Sequence, residues 1–209
     1  MQALIRDHPH ISDTLEIGCA FGISSLYICE SLSERANPTH TIIDPNQSSK
    51  WMSVGAHNLD RAGYDFYELL EMPSELALPQ LLKAGRRFDF VFIDGWHTFD
   101  HVMLDVFYST PLLRAGGILV IDDCTLASVG KAIMYVKQYP CYEIVGSVPD
   151  EHSSRKRRAA RLLSAIVPER LGIFLLPARY YNQVYNQHTM VAFQKVAEDD
   201  RDWLWHAPF

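Results

Sequence analysis

The stretch GGILVIDDC, residues 116–124, decides how the rest of the chain is read. Ile118, Leu119, Val120 and Ile121 form an unbroken apolar run without polar alternation, the pattern of a strand covered on both faces. Two carboxylates, Asp122 and Asp123, follow at once. Adjacent like charges repel, and a buried carboxylate costs several kcal/mol unless something pairs with it. An interior strand ending in an acidic pair needs a reason for the pair.

Working outward, runs of strand length alternate with segments of helical length. Residues 14–18 (TLEIG), 40–45 (HTIIDP), 66–70 and 88–94 (FDFVFID) read as strands, as do 117–122, 142–147 and 189–195. Between them, residues 22–34, 50–61, 74–83, 99–113 and 129–138 have helical length and spacing. This alternation specifies an α/β fold, a Rossmann-like doubly wound sheet that is mostly parallel and has helices on both faces. The last of seven strands is expected to run antiparallel. One domain is expected over 1–209, interrupted by an insertion at about 150–186 where the composition shifts.

The bulk numbers agree with a soluble enzyme-sized domain. The chain has 209 residues, 48% hydrophobic and 21% charged, enough for a full core. Nineteen Lys+Arg against 25 Asp+Glu leave a net charge of −6, which argues against nucleic acid as the partner. Cys19, Cys29, Cys124 and Cys141 form no CxxC pair and read as reduced thiols of a cytoplasmic protein. Residues 1–9 are short and polar with Asp7 among them, unlike a secretory signal, and no apolar run reaches the roughly 18 residues of a membrane span.

In open α/β sheets, ligands bind outside the carboxyl ends of the strands. The unusual residues of this chain fall there. The first strand ends in Glu16 and the turn from Gly18 to Gly22, the second in Asp44 and the fourth in Asp94. The fifth ends in Asp122 and Asp123, and Ser74 follows the third. The G-x-x-x-G turn allows close approach of backbone to a ligand, but it is not the G-x-G-x-x-G of dinucleotide binders. That spacing and the acidic pair speak against an NAD-linked oxidoreductase. A carboxylate after the second strand can accept hydrogen bonds from ribose hydroxyls, or simply close a solvated turn before Pro45.

Taken together, LEIGCAFGIS, IIDP, FVFIDGWH and LRAGGILVIDDC resemble class I S-adenosylmethionine-dependent methyltransferases. The likeness is to the small-molecule O-methyltransferases of the catechol and macrocin (sugar) types, and it runs from about Leu15 to Cys124. The resemblance implies roles residue by residue. Glu16 lies near the methionine part of the cofactor, Gly18 and Gly22 pass beneath it, and Asp44 holds the ribose. Ser74, within MPSELALPQL, touches the adenine, and Trp96 packs near it. Asp94, Asp122 and Asp123 bind one divalent ion, as in the cation-dependent members. The residue chemistry supports this independently, since three carboxylates make a hard oxygen site suited to Mg²⁺ and a dication cancels the repulsion of the pair. Macrocin-type enzymes carry Asp-Asp here and catechol-type enzymes Asp-Asn.

His97, three residues after Asp94, stands where catechol-type enzymes place a lysine that takes the acceptor's proton. Its ordinary pKa of about 6.5 suits a general base, with Asp94 beside it and His101 as the reserve. The expectation is a divalent-cation-assisted O-methyltransferase using S-adenosylmethionine on a hydroxyl of a sugar, phenol or other small molecule. A metal-independent methyltransferase of the same fold and a non-catalytic cofactor-binding module are the alternatives. A nucleic-acid methyltransferase is disfavoured, since the Asn/Asp-Pro-Pro-aromatic signature is absent. Within the insertion, Arg155, Lys156, Arg157, Arg158 and Arg161 precede an apolar run. This segment reads first as a lid over the site. It also suits an anionic substrate or an anionic membrane surface, or is a plain solvated helix face. A homodimer is compatible with the sequence.

Overall fold

The computed structural model describes residues 1–149, 166–168, 171 and 188–207. Most of the insertion expected at 150–186, including Arg155, Lys156, Arg157, Arg158 and Arg161, lies outside the described residues. Chain order is α1 (Gln2–Asp7), β1 (Asp13–Ile17), α2 (Ile23–Leu32), β2 (Thr39–Ile43), α3 (Val54–Ala62), β3 (Tyr67–Leu70) and α4 (Ser74–Lys83). It continues with β4 (Phe88–Ile93), α5 (Phe99–Leu112), β5 (Leu113–Ile121), α6 (Ala127–Val136), β6 (Tyr142–Pro149) and β7 (His188–Lys195).

One seven-stranded sheet has the order β3-β2-β1-β4-β5-β7-β6. The pairings among β1 to β5 are parallel, while β7 is antiparallel to both β5 and β6. The topology is that expected from the alternating runs. The unbroken apolar strands are buried from both sides because successive side chains point to opposite faces. In β4, Val91 and Ile93 pack with Val102, Val106, Leu78 and Ile133 of α4, α5 and α6. Phe90 and Phe92 turn the other way, onto Ile5 and Ile28 of α1 and α2. Ile118 and Val120 of β5 join the second face, Leu119 and Ile121 the first. Full burial of each such side chain contributes about 1.5–3 kcal/mol.

The structure departs from the sequence reading at three places. Helix α1 was not expected, since six residues carry too little periodicity to register. Strand β5 starts at Leu113, which pairs with Phe88 before the apolar run begins. Helix α3 starts at Val54 instead of residue 50, because Met52 and Ser53 adopt left-handed backbone angles (φ 51° and 55°) that break a helix. The freed segment carries Lys50 and Trp51 to the carboxyl edge of the sheet.

Lys195 ties the last strand to α5. Its ammonium is fully buried and donates to the carbonyls of Thr110 (3.0 Å) and Leu113 (2.8 Å) and to Glu198 Oε2 (2.6 Å). These carbonyls belong to a helix end, where acceptors lack intrahelical partners and a cation is favoured. Lys195→Met should therefore cost about 3 kcal/mol by leaving buried acceptors unpaired. Thermal unfolding would register this as a lower midpoint, with the carboxyl-edge cleft unaffected. The four cysteines are free and buried. No helix among the described residues is long and apolar enough to cross a membrane.

Candidate active site

Parallel registry lines up the residues that follow the strands. Ile17 pairs with both Ile43 and Ile93, and Ile93 with Ile121. One step further, the amide of Gly18 donates to Ile43 O, that of Asp94 to Ile17 O and that of Asp122 to Ile93 O, at 2.8–3.0 Å. Gly18, Asp44, Asp94 and Asp122 thus stand side by side at one edge.

Gly18 has φ +91°, and a Cβ there would stand 2.0 Å from the Asp94 carbonyl oxygen, so only glycine fits between β1 and β4. Gly22 performs a different task. It packs on Gly55 of α3, where a Cβ would approach the Gly55 Cα to 2.8 Å, so it seats α2 against α3 and does not line the cleft. Asp44 is buried and organises the turn. Its Oδ2 accepts from the amides of Cys19 (3.1 Å) and Ala20 (2.8 Å) and from Gln47 Nε2 (3.0 Å), and its Oδ1 from the Asn46 amide (2.8 Å).

Glu16 does not reach the cleft. It is fully buried beneath the turn, accepts from Ser24 and Ser25, and meets His40 Nε2 at 3.1 Å, while His40 Nδ1 bonds Thr14. The side chain one residue before the strand end points into the α2 face, and this buried network fixes α2 on β1 and β2.

The acids gather differently from the expected trio. Asp94 Oδ1 lies 3.3 Å and Asp123 Oδ2 3.2 Å from the same His97 nitrogen, Nε2. One ligand atom from each of these three residues lies within 4.8 Å of the others. Asp123 has a left-handed φ of 52°, unusual outside glycine but tolerated by aspartate. Asp122 is not part of this group. Its Oδ1 accepts from the Asp123 amide at 2.7 Å and caps the turn.

Electrostatics set this edge apart. At the opposite end of the sheet, buried Asp89 is compensated by Arg114 at 2.8 Å and by the amides of Ser12 and Asp13. Among the described residues, Asp94 and Asp123 have no arginine or lysine ion pair, only His97. Burial, and then the charge of Asp122, lift the Asp94 pKa to about 6, and burial also raises Asp122. Three acids held without a cation store unfavourable charge, which a divalent ion would relieve.

The cleft beside this group has a volume of about 620 Å³, within the range of small-molecule sites. The backbone of Gly18 to Ala20 forms its floor, and Asp44, Ser74, Asp94 and Trp96 line it. Trp96 is 57% exposed, so it is a wall of the cleft and not a core anchor. His101 also lines it, with Nδ1 2.8 Å from Thr98 Oγ1. The sequence reading missed Asn46, Lys50, Trp51 and Glu75 on the walls. Proximity to the ends of β2 and β3 was the available signal for Asn46 and Glu75. Lys50 and Trp51 were hidden by their apparent place in a helix.

Residues 15–124 match the family described as a methyltransferase domain, more than half of the chain. No curated protein matches significantly. Among solved structures, the O-methyltransferase of Bacillus cereus in complex with SAH is similar at 14% identity (TM-score 0.65, 93% of this chain and 78% of that one). The O-methyltransferase TomG of Streptomyces achromogenes, in complex with SAM and involved in tomaymycin synthesis, is 22% identical (TM-score 0.60, 71% and 70%). SAH-bound PaMTH1 of Podospora anserina is 19% identical (TM-score 0.57, 69% and 70%). These neighbours share the sheet whose carboxyl edge carries the cleft, and with the sequence match they establish that the chain belongs to the methyltransferase-domain family, with the Rossmann-like fold of the S-adenosylmethionine-dependent enzymes.

Proposed function

We propose that the protein methylates a hydroxyl of a small molecule, with S-adenosylmethionine as donor and a divalent cation at Asp94, His97 and Asp123. One observation carries this reading: two carboxylates and an imidazole converge beside a cleft of cofactor size, which Asp94 lines, and among the described residues no arginine or lysine pairs with the two acids. The O-methyltransferases among the structural neighbours support the acceptor atom.

The donor supplies a methyl group that leaves its sulfonium sulfur and bonds to the acceptor oxygen, which gives up its proton. A divalent cation supplies Lewis acidity that lowers the pKa of that hydroxyl. The chain's own residues do the rest. The Gly18 turn, held in place by Asp44, gives the donor a backbone floor, and Trp96 offers an aromatic wall. Fixing donor and acceptor in line beside Asp94 converts a bimolecular encounter into a local one. His97 Nε2 stands between the Asp94 and Asp123 carboxylates, so these three side chains would hold the cation together. His101, whose Nδ1 is engaged with Thr98 Oγ1, has Nε2 left to take the acceptor's proton. Two carboxylates with one imidazole form a mixed donor set that accommodates Mn²⁺ as well as Mg²⁺.

A metal-independent transfer has one observation in its favour: His97 already bridges both carboxylates and, when protonated, partly satisfies them. Calorimetric titration of S-adenosylhomocysteine and of MgCl₂ or MnCl₂ separates the readings. The proposed site requires cation binding that Asp123→Asn removes and Asp122→Asn keeps. Protons compete for Asp94, so cation affinity should fall as pH drops through about 6. S-adenosylhomocysteine binding with no cation site would leave the metal-independent enzyme. No nucleoside binding would overturn the proposal.

A further inference from the structure

One contact spans the cleft from side to side. Lys50 follows β2 and Trp96 follows β4, and in the sheet β1 lies between those two strands. The cleft floor, Gly18 to Ala20, is the backbone that follows β1. The Lys50 ammonium nevertheless stands 5.9 Å from the centre of the Trp96 ring. Both residues are exposed and both line the cleft. A contact between the two flanking strand ends closes over the one between them, so the pair forms a bar above the floor.

No other group claims the ammonium. Asp44, Glu75 and Asp94 line the same cleft, yet among the described residues Lys50 pairs with none of them and keeps only the ring of Trp96. An exposed cation over an aromatic face makes a weak contact that breaks and re-forms readily.

The backbone that presents Lys50 is, by contrast, tied down. Asn46 O accepts from the amides of Lys50 (2.9 Å) and Trp51 (3.1 Å), and Gln47 O from that of Ser53 (2.6 Å). Gln47 Nε2 donates to Ala20 O at 2.8 Å, and the Trp51 ring meets Phe21 edge-on at 5.0 Å. Residues 47–51 are thus fastened to the floor turn on either side of Lys50. Met52 and Ser53 then take left-handed angles in succession, although neither residue type favours them. Strain of this kind persists where surrounding contacts over-determine the backbone, and here it keeps Lys50 at the cleft and out of α3. A fixed backbone with a loosely held, long side chain leaves that side chain as the moving part.

We propose that Lys50 is a gate: latched on Trp96 it closes the cleft above its floor, retains a nucleoside bound beneath it, and swings away to admit or release one. The proposal rests on the nucleoside-cofactor reading above. A gate that closes on the empty and the filled cleft alike slows entry and exit by one factor and leaves affinity nearly unchanged, and slow exit of product is a step that can limit turnover.

The test is stopped-flow tryptophan fluorescence with S-adenosylhomocysteine, since Trp51 and Trp96 both line the cleft. Lys50→Met keeps the length of the side chain and removes its charge. It should raise the association and dissociation rate constants together, by about two- to fivefold, the range an exposed cation–π contact supplies. The dissociation constant should change by less than about twofold. Lys50→Arg keeps a cation over the ring and should retain the wild-type rates. In a Trp96→Leu background, where the latch has no face to close on, Lys50→Met should leave the association rate where it was. A rise in dissociation alone, with affinity weakened by the same factor, would make Lys50 a direct ligand contact and overturn the gate. Unchanged rates in Lys50→Met would overturn it as well, with the cofactor reading left standing. Wild-type protein that binds no S-adenosylhomocysteine would overturn the cofactor reading and the gate together.

Discussion

Asp94→Asn should make the cation-free protein more stable at pH 8 and at the same time abolish its response to Mg²⁺ or Mn²⁺. The sign follows from the direction of the pKa shift. Burial, with the nearby charge of Asp122, raises Asp94 from the ordinary 3.8 to about 6, so the folded state holds its proton more tightly than the unfolded chain. Its contribution to stability is fully present below pH 3.8 and is lost as pH rises to about 6. At pH 8 wild-type protein carries the unfavourable charge, whereas a neutral amide of the same shape does not. A gain on the order of 1 kcal/mol would raise the thermal midpoint by about 2–4 °C. The amide cannot replace a charged oxygen as ligand, so added cation should raise the wild-type midpoint and leave the variant unchanged. Loss of several kcal/mol of Lewis-acid assistance would lower methyl transfer by on the order of 10³-fold, read as S-adenosylhomocysteine released. A variant less stable than wild type without cation, or still stabilised by it, would contradict the arrangement of the site.

Gly18→Ala should damage stability and nucleoside binding together, more severely than any other single methyl at the cleft. The added carbon would lie 2.0 Å from the Asp94 carbonyl oxygen, 2.6 Å from its carbon and 2.9 Å from Gly95 Cα. All three are backbone atoms, so no rotamer change relieves the overlap. The β1–β4 contact must open where the Asp94 amide donates to Ile17 O at 2.8 Å. The residue must also hold φ +91°, which costs a side-chain-bearing residue a further 1 kcal/mol or more. Overpacking and backbone strain together come to about 3–5 kcal/mol, against a total stability of about 5–15 kcal/mol for a domain. Thermal unfolding should show a midpoint lower by about 10 °C. S-adenosylhomocysteine binding should be lost in the fraction that still folds, because the displaced backbone is the cleft floor. A variant that unfolds at the wild-type temperature would mean that the turn is not held as tightly as its packing requires.

The strand ends were legible because a buried parallel strand is an unbroken apolar run and must stop where polar residues begin. Asp94 and Asp122 could be placed at the carboxyl edge on that ground alone. What followed each end was less legible. The break at Met52 and Ser53, which sends Lys50 and Trp51 to the cleft, is a pair of backbone angles with no clear signature in residue type. Glu16 looked like a site residue from its position beside the glycine turn, yet its side chain faces α2 and meets His40, a residue 24 positions away. Asp105 passed unnoticed inside a helical pattern, because a single polar residue in a helix carries no mark of burial.

The sequence by itself determined the sheet, its mostly parallel character and the edge that carries the chemistry. Those follow from apolar periodicity, strand length and the handed packing of βαβ units, which are local or nearly so. Only the tertiary structure decided which acids stand together. Adjacent residues such as Asp122 and Asp123 diverge when one takes a left-handed backbone angle, while His97 reaches Asp123 across 26 positions of chain. Only the partners that folding supplies distinguished the buried carboxylate of Asp89, compensated by Arg114, from the equally buried one of Asp105. A charge's cost depends on the partners and the water that the folded chain leaves around it.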